Sequence, residues 1–114
     1  MKKAILIFSV VILAASCSAP KQLYSWEKYE AASYNYIKNS DEESLATLLE
    51  NYEKVISKQK GTRRVVPPGI HADYGFILMK TGRVAEGKDM LAKEMELYPE
   101  SKIFIDRILK MTEL

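Results

Sequence analysis

The sequence has little of what most enzyme and metal chemistry requires. Its 114 residues include one cysteine and one histidine. A single cysteine excludes an internal disulfide framework and a cysteine-built zinc site. The charges nearly balance, with 17 Lys and Arg against 15 Asp and Glu. That balance excludes a strongly basic nucleic-acid binder and a strongly acidic chain. Prolines fall only at 20, 67, 68 and 99, which leaves long uninterrupted segments. Runs of alternating β-branched residues are absent, as are a Ser-His-Asp arrangement, a phosphate loop and a metal-ligand cluster. These absences argue against an enzyme and against any cofactor or metal. The length allows one small domain.

What is present begins with an address. Lys2 and Lys3 form a positive start, Ala4 to Ala15 is apolar except at Ser9, and Ala14, Ala15 and Ser16 precede Cys17. This is the anatomy of a secretory signal. The apolar run, about 12 residues, is short for a transmembrane helix, which needs about 20. The segment Leu13-Ala14-Ala15-Ser16-Cys17 resembles a bacterial lipobox. The resemblance implies that Cys17 is acylated on its sulfur and becomes the first residue of the mature protein. A soluble periplasmic protein with a stray cysteine and an uncleaved anchor are the alternatives. No Asp or Glu occurs in Ser18-Ala19-Pro20-Lys21. In lipoproteins that absence resembles sorting to the outer membrane, with the domain facing the periplasm.

Three segments are expected: a signal peptide over 1–16, a lipidated N-terminus and tether over 17–23, and a helical domain over 24–114. Loss of Lys2 and Lys3 leaves the mature chain with 15 basic and 15 acidic side chains, so the small positive excess belongs to the leader.

The domain reads as helical throughout. Trp26, Tyr29, Ser33, Tyr36 and Ile37 recur at helical spacing over 24–38. Ser40 to Glu43 has the pattern of a capping box with Ser40 as N-cap. A second helix is expected over 41–60, with Leu45, Leu48, Leu49, Tyr52, Val55 and Ile56 on one face and Gly61 ending it in a positive-φ conformation. Val66 and Pro67 in the 61–69 connection are pushed to extended geometry by the prolines that follow them. Further helices are expected over 69–81 and 83–97. Pro99 stops the last of these, and Ser101 caps a fifth helix carrying Ile103, Phe104, Ile108 and Leu109. Amphipathic helices joined by short turns imply an all-α array of about five antiparallel helices.

The third and fourth helices resemble one tetratricopeptide repeat. Gly75 and Pro99, 24 residues apart, match the repeat's glycine and closing proline. Gly82 falls at the turn, Gly87 at the small-residue position and Leu91 at the large apolar one. His71 stands where tryptophan is usual and Glu94 where alanine is usual. Glu94 therefore disfavours packing against a following repeat.

The combination of Lys21-Gln22-Leu23-Tyr24-Ser25-Trp26, Val66-Pro67-Pro68-Gly69-Ile70-His71-Ala72 and Tyr98-Pro99-Glu100-Ser101 resembles a narrower family. This is a family of small, uncharacterised bacterial lipoproteins with a tetratricopeptide-like second half. Its members are typically encoded beside a lipoprotein similar to the curli secretion channel. Stacked helix pairs make a concave surface suited to a peptide or helix, so a non-enzymatic interaction module is expected, and the resemblance implies that channel-like lipoprotein as its partner in an envelope complex. Self-association to complete the helix stack is a further expectation. The alternative is a structural lipoprotein that supports or binds the cell wall.

Candidate contact residues follow from the aromatics and the histidine. Trp26, Tyr29, Tyr34 and Tyr36 cannot all point inward from one helix face, so Tyr24 and Tyr34 are candidates for a partner surface. His71, set by Pro67-Pro68-Gly69 in a first helical turn, is either a packing residue or a partner contact. Lys58, Lys60, Arg63 and Arg64 cluster at a helix end, where cations are favoured, and lipid headgroups are a second possible partner for them. Asp41, Glu42 and Glu43 read as first-turn capping charges.

Overall fold

The computed structural model describes residues 1–15 and 18–113. Cys17, the expected lipidation site, lies outside the described residues. The chain is all-α: α1 (Lys2–Ala15), α2 (Tyr29–Asn39), α3 (Glu42–Ser57), α4 (Ile70–Lys80), α5 (Val84–Leu97), a 3-10 turn (Pro99–Ser101) and α6 (Lys102–Thr112). Among the described residues, no helix is long and apolar enough to cross a membrane.

From α2 onward, helices adjacent in sequence pack against each other, and α4 also touches α6. Two clusters of buried side chains result. Leu48, Tyr52 and Val55 of α3 meet Ile70, Tyr74, Ile77 and Leu78 of α4, with Ala32 of α2 beside them. Ala72 and Met79 of α4 meet Leu91 of α5 and Ile105 and Ile108 of α6. Because α4 contributes to both, it is the shared wall of the domain.

Several helix ends differ from expectation, each for a local reason. The first helix of the domain starts at Tyr29 rather than 24, because residues 22–25 run along the 59–63 loop instead. The N–H groups of Thr62 and Arg63 donate to the carbonyls of Gln22 and Leu23 at 3.0 and 3.1 Å. Gln59 donates to the Ser25 carbonyl at 2.8 Å and accepts from the Ser25 N–H at 3.2 Å. Trp26 and Ile37, expected to face inward, are exposed.

Gly61 does not end α3, which stops at Ser57. The role of Gly61 is close approach: a Cβ there would lie 2.3 Å from the Leu23 carbonyl oxygen. Ser40 is not an N-cap. It takes the left-handed conformation, φ 52°, and closes α2, while Asp41 caps α3 by accepting from the Ser44 N–H at 2.8 Å. The Asp41 carboxyl is held below its usual range by these Ser44 hydrogen bonds. Ser101 gives α6 no side-chain cap, since its hydroxyl donates back to the Tyr98 carbonyl at 2.7 Å. On α6 the buried residues are Ile105 and Ile108, whereas Ile103 and Phe104 are exposed.

Candidate functional site

Gly69, the residue before α4, and Ala72 and Phe76 on α4 lie three and four residues apart, along one face of the helix. Asp73 shares that face. On α6, Phe104, Ile108 and Met111 repeat the spacing. The two stripes enclose an open groove of about 380 Å³. The small residues Gly69 and Ala72 form its hollow, and the phenylalanines form its sides. Phe104 and Met111 are 59 and 62% exposed, so large apolar surface stands in solvent at the groove. Exposed apolar surface of this kind, beside one polar group, marks a binding site more often than a scattered hydrophobe does.

Asp73 is the charged residue of the groove lining. Its Oδ2 accepts from the hydroxyl of Tyr29 on α2 at 2.7 Å and from that of Tyr52 on α3. Burial, with Asp73 as the second cause, pushes the Tyr29 phenol up to about 12 and raises that of Tyr52 further. Both hydroxyls therefore stay protonated and remain donors. The pair holds the carboxylate in position but supplies no positive charge. Among the described residues the ion pairs are Lys54–Glu50, Arg83–Glu86 and Lys102–Asp106, and none includes Asp73.

The end of the groove at Gly69 is fixed from beneath by a residue on α5. Glu94 is 2% exposed. Its carboxylate accepts from the Gly69 N–H at 2.6 Å and from the Ala72 N–H at 3.3 Å. Gly69, at φ 92°, has no side chain with which to cap α4. Glu94 supplies the cap from a neighbouring helix, where a negative charge also meets the positive end of the helix dipole. The departure from the repeat pattern at Glu94 is therefore a device for starting α4.

The residues singled out from sequence lie elsewhere, and none of Tyr24, Tyr34 and His71 lines the groove. Tyr34 is exposed on α2. Tyr24 is half-buried, and its hydroxyl accepts from Arg63 Nη1 at 3.0 Å, which holds the phenol below its usual range. His71 is 4% exposed, and its Nδ1 has no hydrogen-bond partner among the described residues. Burial first and the Lys93 charge second lower its pKa, so the ring is held neutral. In this position it offers no surface to a partner. Among the described residues, no three His, Cys, Asp or Glu side chains gather as metal ligands.

Sequence reasoning passed over Asp73, Phe76, Phe104 and Met111 as site residues. The available signal was the i, i+4, i+7 stripe Phe104-Ile108-Met111, which duplicates an apolar face on a helix already anchored by Ile105. The family model described as "Domain of unknown function (DUF4810)" matches residues 23–108. No curated protein and no solved structure matches the chain.

Proposed function

The chain belongs to the DUF4810 family, whose description assigns no activity, and from that premise we propose a non-enzymatic interaction module carried on an outer-membrane lipoprotein. Acylated Cys17 anchors the chain, and the helical domain faces the periplasm. The α4–α6 groove takes a segment of a protein partner. The observation that carries this reading is the pairing of exposed Phe104 and Met111 with a carboxylate that has no cation of its own. The chemistry selects a segment with apolar side chains that flank a lysine or arginine. The apolar contacts supply affinity and Asp73 supplies register. The proposed partner is the curli-channel-like envelope lipoprotein implied by the family resemblance.

Co-expression of the two lipoproteins and co-purification in detergent tests the proposal. Wild-type protein retains the channel-like partner. Phe104→Asp lowers recovery at least tenfold, and Asp73→Asn lowers it severalfold, with a weaker dependence on salt. Helical circular dichroism of both variants separates lost binding from lost folding. Equal recovery across the three proteins overturns the groove as the binding site. Retention of cell-wall material with no channel-like partner overturns the proposal in favour of a structural envelope role. Cys17→Ala tests the anchor: membrane fractionation unchanged and no lipid label on the wild type would refute it.

A further inference from the structure

A second surface of the domain lies where the chain enters it. Residues 22–25 are pinned to the loop after α3 by the four hydrogen bonds described above, and Gly61 admits them at a distance no side chain would allow. The pinning leaves Leu23 and Trp26 58 and 42% exposed. Basic residues gather at Tyr24, whose ring lies 6.4 Å from that of Trp26: Lys21 and Lys60 line one shallow hollow with Tyr24, and Arg63 lines the next. Arg64 follows in the same turn, its N–H bonded to the Gly61 carbonyl at 3.1 Å. None of these four cations forms an ion pair among the described residues. Helix-end electrostatics accounts for Lys58, the residue that closes α3, but not for Lys21, Arg63 and Arg64, which lie outside any helix.

Leucine and tryptophan in solvent, beside cations that form no ion pair among the described residues, are the two halves of a lipid-interface contact. Indole favours the boundary between headgroups and acyl chains, and the cations favour anionic headgroup phosphates. The chain geometry supplies the proximity. Only Ser18 to Lys21 separate Cys17 from the pinned Gln22, a reach of about 17 Å at full extension.

We infer that this end of the domain lies flat on an anionic membrane surface, with Leu23 and Trp26 at the headgroup boundary and Lys21, Lys60, Arg63 and Arg64 on lipid phosphates. The inference rests on the lipid-anchor reading of Cys17. Its consequence is an oriented domain, which holds its groove at a set height instead of swinging on a tether.

Trp26 is the only tryptophan, so its fluorescence reports this surface alone. The test reconstitutes the full acylated chain in vesicles of phosphatidylethanolamine and phosphatidylglycerol, or of phosphatidylcholine, each with brominated acyl chains. Mass spectrometry of the N-terminal peptide reads acylation separately. We expect bromine quenching at least twofold greater in the anionic vesicles. Lys60→Glu combined with Arg64→Glu should reduce it to the phosphatidylcholine level. Neither side chain makes a hydrogen bond among the described residues, so the pair leaves the pinning intact. Quenching that is absent, or equal in the two lipids, while Cys17 carries its label overturns the inference and leaves the anchor standing. Absence of the label overturns the anchor, and the lipid contrast in quenching still decides the surface.

Discussion

The two helix pairs of the domain are joined by different means. In the α4–α5 pair, backbone meets backbone. A Cβ on Gly75 would lie 2.7 Å from the Gly87 carbonyl oxygen, and one on Gly87 would lie 2.5 Å from that of Gly75. The α2–α3 pair has no such contact. Ala32 is the one residue of α2 that is buried, and rings do the joining. Tyr29 lies 5.4 Å from Tyr52, which stacks on Tyr74 of α4 at 5.0 Å. The hydroxyls of Tyr29 and Tyr52 then converge on Asp73. The second pair is thus set by its own close contact, whereas the first is set by reference to a residue of the second. The difference teaches where the architecture is held: α4 carries the glycine contact, the aromatic stack and the groove carboxylate together.

Gly87→Ala should break that distinction with the largest effect. In a solvent-facing helix, alanine would gain about 1 kcal/mol over glycine. Here the added methyl would meet Met79 Cγ at 2.3 Å and a backbone oxygen that moves only if the helices separate. A net loss of about 3 kcal/mol is expected from overpacking, read as a lower urea midpoint. An unchanged or higher midpoint would show that the close contact does not set the α4–α5 spacing, and the comparison would collapse.

Glu94→Ala sharpens the comparison from the other side. It removes the cap of α4 and leaves the Gly69 and Ala72 N–H groups without their acceptor. A loss of about 2 kcal/mol is expected, the range for an N-cap together with charge-assisted hydrogen bonds. Glu94→Gln, which keeps one acceptor oxygen, should recover part of it. Proton exchange at the Ala72 amide should accelerate more than at the amides of α3. Equal acceleration in both helices would mean that Glu94 stabilises the domain as a whole and not the start of α4.

The same contrast explains what could be read from the sequence. The all-α class was legible from periodicity, and so was the closeness of α4 and α5, because Gly75 and Gly87 carry it as residue identities. The role of Glu94 was not legible, because a glutamate that caps a helix 25 residues earlier in the chain leaves no local pattern. Gly61 suggested a helix stop, since glycine serves turns and close approaches alike, and only the position of Leu23 distinguishes the two. Ser40 reads as the cap of α3, but its left-handed turn closes α2 and leaves the cap to Asp41. The groove escaped notice for a similar reason. Phe104 and Met111 fit a core pattern, and their exposure depends on there being no further helix over α6 among the described residues. Asp73 carries no local sequence signal, because the two tyrosines that converge on it come from other helices.

The smallest expected effect concerns His71, the other polar group that α4 buries. Its ring is kept neutral by burial and by the Lys93 charge, so its pKa in the folded domain lies below the ordinary 6.5. The unfolded chain takes up the proton as pH falls through about 6.5, while the folded chain resists it until lower pH. The unfolded state then binds more protons, and stability must fall on acidification. The contribution is fully present above pH 6.5 and is lost progressively below it. His71→Gln removes this dependence. Urea midpoints measured between pH 7.5 and 5.5 should therefore decline for the wild type and stay nearly level for the variant. A parallel decline in both would place the pH sensitivity outside α4, and a rise on acidification in the wild type would mean that a carboxylate partner stabilises the charged ring.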